Sequence, residues 1–155
     1  MATNTQRIIK EIEEIKKNSD KNFKINVSDT NIMDWYILYS NLDDERFKDG
    51  EYILHIKLHD GYPFKAPEFK WLTPNGRFEI AIKICYNIST YHEAEWNPLW
   101  RMRTIIIGIM SMLLDRDTDG IGHIHGTTLD KYKNFASKSK DYNKELIKKL
   151  NLIDF

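Results

Sequence analysis

Cys85 is the only cysteine in the chain, and it stands in a polar, irregular stretch with Tyr86, Asn87, Ser89 and Thr90. Ten positions earlier comes Asn75, within Thr73-Pro74-Asn75-Gly76-Arg77-Phe78, and beyond the cysteine lies Trp96-Asn97-Pro98. A thiol is a few per cent ionised near neutral pH and already strongly nucleophilic. It takes over an acyl group by thioester exchange without the histidine partner that a serine needs. A lone cysteine is also commonly a small buried hydrophobe, but this loop-like neighbourhood favours a sulfur that reaches solvent.

Asn75 has two readings. Thr-Pro-Asn-Gly is a turn in its own right, with Pro74 at the first central position and Asn75 chosen for backbone conformation. The carboxamide N–H groups also suit an oxyanion formed when an amine attacks a thioester on Cys85, a donor typically worth about 3 kcal/mol of barrier. Both uses are compatible. His92 and His123 flank this segment, and an incoming lysine ammonium must lose a proton to such a base or to a carboxylate. Asp115, Asp117 and Asp119 compete for that role or stand as solvated loop charges. His123 and His125 alternate about Ile124, but the spacing is looser and less repeated than zinc sites show. No metal is expected.

The elements that must hold these groups follow from periodicity. Ile8, Ile9, Ile12 and Ile15 repeat at helical spacing, with Glu11, Glu13 and Glu14 assigned to the opposite side and Lys16 and Lys17 at the negative end of the dipole. A first amphipathic helix is predicted at about residues 4–17. Four strands are predicted at Phe23–Val27, Trp35–Tyr39, Tyr52–Leu58 and Phe69–Leu72, rich in alternating, aromatic and β-branched residues and joined by short connections. From Tyr62-Pro63-Phe64 and Pro67, and again from Thr73 to Leu99, the period is lost, as in functional loops. Met102 to Asp115 is apolar on nearly all sides, as a buried helix is. After the Asp119-Gly120-Ile121-Gly122 break, residues 128–153 are predicted to form two amphipathic helices. The expectation is an α+β single domain over 1–155: a helix, a four-stranded antiparallel meander, an irregular active segment, a buried central helix and two C-terminal helices.

Lys plus Arg and Asp plus Glu both number 23 in the 155 residues, giving zero net charge. That balance argues against nucleic acid as the main partner, since phosphate binding needs a basic surplus. One cysteine allows no internal disulfide, which favours a reducing, cytoplasmic location. Met1–Asn18 has no apolar signal core, and the apolar run near Ile105–Leu114 is too short for a bilayer span.

The motifs together resemble the ubiquitin-conjugating enzyme family over nearly the whole chain. Trp35, Tyr62-Pro63-Phe64-Lys65-Ala66-Pro67, the single cysteine and Trp96-Asn97-Pro98 occur in that family's order. Thr-Pro-Asn-Gly-Arg-Phe with the cysteine ten residues past the Asn is similar to one branch, the tail-anchored enzymes serving protein degradation at the endoplasmic reticulum. The resemblance implies that Cys85 accepts ubiquitin from the activating enzyme and passes it to a protein substrate, usually aligned by a ubiquitin ligase. It puts Asn75 at the Asn of the family's His-Pro-Asn motif, with Thr73 in place of the His. Pro63, Phe64, Trp96 and Pro98 fall in the ligase-docking loops, and Arg7 and Lys10 on the helix that meets activating enzyme and ligase. It implies no cofactor on the chain itself, ATP and magnesium belonging to the activating step.

Two departures accompany the resemblance. The branch normally ends in a transmembrane tail, which this sequence lacks before its last residue, Phe155, so membrane location is not carried over. Many family members hold an acidic residue two positions past the cysteine, where Asn87 stands here. The base that deprotonates the incoming amine is therefore open, and because the branch is associated with transfer to hydroxyl groups as well as lysine, the acceptor stays open between lysine and a Ser or Thr hydroxyl. The competing expectation is a non-catalytic variant that acts as a ubiquitin- or partner-binding module, and conjugation of a ubiquitin-like protein is a third.

Overall fold

The computed structural model describes residues 2–84, 96–115 and 122–155. Helix α1 (Ala2–Lys17) leads into strands β1 (Phe23–Val27), β2 (Asp34–Tyr39), β3 (Tyr52–Lys57) and β4 (Glu68–Trp71), followed by α2 (Met102–Leu114) and α3 (Leu129–Leu150). The strands form one antiparallel sheet in the order β1-β2-β3-β4, the meander that short connections require. Each strand begins and ends within about a residue of the expectation, because alternation and turn residues mark strand limits directly.

The register aligns side chains by face. Ile25 opposes Ile37, Ile37 opposes Leu54, and Leu54 opposes Trp71, so one row of apolar residues crosses all four strands. This face packs against α1 and α2, through Ile8, Ile15, Met102, Ile105, Ile106 and Ile109. Tyr39 crosses the layer and donates its hydroxyl proton to the Ile106 carbonyl at 2.7 Å. A polar tip in this core thus keeps a partner, as burial demands.

Helix α2 carries no acid in its first turn and no base in its last. Its dipole is met from outside. The buried carboxylate of Glu11 accepts the Met102 N–H at 2.9 Å. At the other end Arg46 donates to the Leu114 carbonyl at 2.7 Å and Arg77 to the Asp115 carbonyl at 3.1 Å. Negative charge at the N-terminus and positive at the C-terminus is the favourable sense. Glu11 thereby corrects the sequence expectation: it is 1% exposed, while Ile9 is 44% exposed. The inward stripe runs 8, 11, 15, three and four residues apart, and the helix turns a carboxylate inward because α2 supplies donors for it.

The second correction concerns the C-terminal part, where one continuous 22-residue helix, α3, replaces the two expected. The Ser-Lys-Ser-Lys-Asp stretch at 137–141 contains neither Gly nor Pro, so nothing in it breaks the helix. Ser139 satisfies its hydroxyl by donating to the Ala136 carbonyl at 2.7 Å within the helix. Thr128 caps the start by accepting from Lys131 N–H, and Asn151 ends the helix in the left-handed conformation with φ 55°.

Beyond α3 the chain turns back across the sheet's other face. Leu38, Ile53 and Leu152 form a second apolar cluster there, flanked by Leu146, Ile147 and Leu150. The Asp154 N–H donates to Asn26 Oδ1 at 3.0 Å, fastening the last residues to β1. Leu152 is 1% exposed and Ile153 76%. Leu152→Ala is therefore expected to cost about 3 kcal/mol, whereas Ile153→Ala should stay within about 0.5 kcal/mol, both read from urea unfolding midpoints. Equal effects would show that the tail is not part of the folded unit.

Candidate active site

The Asn75 turn is built by its own side chain. Asn75 Oδ1 accepts the backbone N–H of Arg77 at 2.9 Å and of Phe78 at 2.8 Å. Its Nδ2 donates to the Thr73 carbonyl at 3.0 Å. The carboxamide is 1% exposed and fixed at both ends, and one Nδ2 hydrogen has no partner among the described residues. Gly76 follows at φ +84°, and a Cβ there would meet a Tyr132 ring carbon at 2.9 Å. Glycine is needed at this position both for the backbone and for the space.

From this turn the chain runs along β4 toward Cys85. Ala81 N–H donates to the Trp71 carbonyl at 2.7 Å, and Ile84 N–H to the Phe69 carbonyl at 3.1 Å. Ile84 is 1% exposed, so the residue preceding the cysteine is anchored in the core. Cys85 and His92 lie outside the described residues, as do Asn87, Asp117 and Asp119.

His123 is brought beside the turn. It forms a bridge with Phe78 and meets that ring edge-on at 4.5 Å between centroids. Its Nδ1 lies 3.1 Å from Arg77 Nη1. A guanidinium can only donate, so Nδ1 accepts and the proton of the neutral ring sits on Nε2. In that arrangement the ring's lone pair is committed to Arg77, and taking a proton from an amine requires this contact to open. His125 is exposed and lines a polar cleft of about 200 Å³ with Arg46, Arg77 and Tyr132. Among the described residues no three His, Cys, Asp or Glu side chains group closely enough to hold a metal ion.

The two loops expected to dock partners are joined to each other. Trp96 is 8% exposed and its Nε1 donates to the Pro63 carbonyl at 2.6 Å. Pro63 is buried and Pro98 half-buried, while Phe64 on the first loop is 73% exposed. Leu99, which the sequence reading passed over, is 80% exposed on the second. The signal was its position beside Pro98, but an isolated leucine in an aperiodic stretch gives no indication of its facing. Asn97 Oδ1 accepts the Leu99 N–H at 2.9 Å and holds the turn that presents it.

Beneath these loops lies Glu11. It accepts the Tyr62 hydroxyl and, at 3.3 Å, Arg7 Nε. Arg7 also donates to the Trp100 carbonyl at 2.9 Å and lies over the Tyr62 ring. Arg7 is thus a clamp between α1 and both loops, whereas Lys10 is exposed on the same helix. No sequence signal pointed to the Glu11 contacts, since the partners stand 51 and 91 residues away.

Comparison with known proteins gives this geometry its class. The family model described as ubiquitin-conjugating enzyme matches residues 7–148. The chain belongs to the ubiquitin-conjugating enzyme family. It is 34% identical over 136 residues to Ubiquitin-conjugating enzyme E2 32 of Arabidopsis thaliana, covering 88% of this chain and 44% of that protein. It is 31% identical over 139 residues to Ubiquitin-conjugating enzyme E2 J2-like of Dictyostelium discoideum, covering 90% of this chain and 81% of that one. Among solved structures, human ubiquitin-conjugating enzyme E2 G1 shares the fold with a TM-score of 0.61 and 24% identity, over 70% of this chain and 92% of that one. The chain thus spans less than half the length of the Arabidopsis relative. Among the described residues no helix is long and apolar enough to cross a membrane.

Burial and the adjacent Glu11 carboxylate push the Tyr62 phenol well above its ordinary 10.0. Burial, with Asp49 and Asp44 nearby, does the same to Tyr52. A folded-state value raised above the unfolded one stabilises in full below the unfolded value and is lost as pH climbs past it. Stability is expected to be insensitive to these phenols up to about pH 9 and to fall above about pH 10. Phenolate absorbance should show that Tyr52 and Tyr62 are among the tyrosines that ionise only as the chain unfolds. Ionisation of all of them near pH 10 with the fold intact would contradict the Glu11–Tyr62 contact.

Proposed function

We propose that this chain carries ubiquitin as a thioester on Cys85 and transfers it to an amine or hydroxyl of a protein substrate. The observation that carries the reading is the Asn75 turn. Its carboxamide is immobilised by three hydrogen bonds, in a family member whose single cysteine follows ten residues later. In the first step the Cys85 thiolate attacks the acyl carbon held on the activating enzyme's thiol. The acyl group moves from sulfur to sulfur, and the departing thiolate takes up a proton.

In the second step an acceptor amine or hydroxyl attacks the Cys85 thioester. Negative charge gathers on the former carbonyl oxygen, where the remaining Asn75 Nδ2 hydrogen would donate. Collapse expels the Cys85 thiolate and leaves an amide or ester, the nucleophile's proton having passed to a base. His92 and His123 are the proposed bases, the latter on opening of its contact with Arg77. A donor already held in place costs no reorganisation as the charge develops, and this is where such groups gain most.

The exposed Phe64 and Leu99 fit apolar docking of a ligase, with Pro63 and Trp96 as the rigid base beneath and Pro98 beside them. Exposed Lys10 on α1 fits contact with the activating enzyme or ligase, and Arg7 supports that surface from below. The names of the relatives agree with ubiquitin as the group carried.

Mixing the chain with ubiquitin, activating enzyme and ATP is expected to give an adduct that thiols remove, seen on a non-reducing gel. Cys85→Ser should give a thiol-resistant ester or nothing, and an unchanged thiol-sensitive band would refute the assignment. Asn75→Ala should still form the thioester but discharge it to free lysine about 10²-fold more slowly. Unaltered discharge would reduce Asn75 to a turn residue. Running lysine, serine and threonine in parallel decides between amine and hydroxyl acceptors.

A further inference from the structure

Helix α3 reaches the Asn75 turn through a relay of buried polar groups. Asn143 is 2% exposed, and its Oδ1 accepts the Thr73 hydroxyl proton. Its Nδ2 donates to the Glu51 carbonyl at 2.8 Å, so both ends of the carboxamide are held. Thr73 is 0% exposed, and its Oγ1 also accepts the Ile53 N–H at 2.9 Å. One turn earlier on α3, Ser139 accepts the Glu51 N–H at 2.9 Å. The helix therefore grips the start of β3 twice and Thr73 once.

A hydroxyl whose proton and lone pair are both engaged inside the protein has no rotational freedom left, and water does not compete for it at this burial. Thr73 is fixed from β3 on one side and from α3 on the other. Its carbonyl is the acceptor that orients Asn75 Nδ2 at 3.0 Å. The residue whose carbonyl accepts from Asn75 is thus itself held by a side chain 68 positions beyond Asn75. A plain anchor for α3 would need only an apolar contact or a bond to solvent-facing backbone. This one ends on the residue two before Asn75.

We propose that Thr73 and Asn143 are positioning residues for transfer: together they set the aim of the Asn75 carboxamide and thereby govern discharge of the thioester rather than its formation. The proposal rests on the reading that Cys85 carries the acyl group. Neither residue touches the reacting atoms.

The test is single-turnover discharge of loaded enzyme against a range of free lysine concentrations. It compares the natural chain, Asn143→Ala, Thr73→Ser, Asn75→Ala and the double variant Asn143→Ala/Asn75→Ala. Asn143→Ala is expected to lower the maximal rate about tenfold at an unchanged half-saturating lysine concentration, with the amount loaded retained. Thr73→Ser keeps the hydroxyl and should discharge at close to the natural rate. In the Asn75→Ala background, Asn143→Ala should add less than about twofold, because the group it aims is gone. Equal slowing in both backgrounds, or a natural rate in Asn143→Ala alone, overturns the proposal. Where Asn143→Ala fails to fold, Asn143→Ser is too short to reach Thr73 and takes its place under the same criteria. A natural chain that never loads overturns the thioester reading and this proposal together, whereas loading with a silent Asn143→Ala overturns the proposal alone.

Discussion

An apolar helix with no acid in its first turn and no base in its last must find those charges elsewhere, and the whole arrangement around α2 answers that need. Carboxylates buried without partners cost several kcal/mol, yet Glu11 has the Met102 N–H, the Tyr62 hydroxyl and Arg7 around it. At the opposite end Arg46 and Arg77, both 4% exposed, meet the terminal carbonyls. These contacts were selected by residues that also belong elsewhere. Glu11 ties in α1 and the loop bearing Phe64, and Arg77 belongs to the Asn75 turn. Satisfying the helix therefore also fixes the site and the docking loops relative to one core.

The sheet contributes rigidity through both its faces. One face carries the apolar row from Ile25 to Trp71 against α1 and α2, and the other is covered in part by α3 and the returning tail. Hydrogen bonds from the strand edge extend past β4, so that Ala81 and Ile84 remain attached to Trp71 and Phe69. The segment entering Cys85 thus starts from residues bonded to the sheet. On the proposed reading, a nucleophile carried from such a base needs less reorganisation than one on a free loop.

What was legible in the sequence divides along physical lines. Strands β1 to β4 and helix α2 were readable because alternation and continuous apolarity are local properties of the chain. The Asn75 turn was readable because Pro74 fixes its own backbone angle and Gly76 permits the positive φ that the turn adopts, whatever surrounds them. Glu11 was misplaced because a carboxylate scores as polar wherever it stands, and the donors that bring it inside come from α2 and from Tyr62. The unbroken α3 was missed for a related reason. Ser139 and Asn143 are polar wherever they stand, and it is the start of β3 and Thr73 that hold them inside the fold. Leu99 was overlooked because exposure of a single apolar residue has no sequence period.

The bond between Trp96 and Pro63 joins the two loops into a single piece, from which Phe64 and Leu99 project. The polar clamp below them uses backbone carbonyls of Pro63 and Trp100 and side chains other than those two tips. On the proposed reading, the tips can therefore be exchanged to retune which protein docks there without loosening the base. The molecule is built like a tool with a fixed shank and replaceable bits.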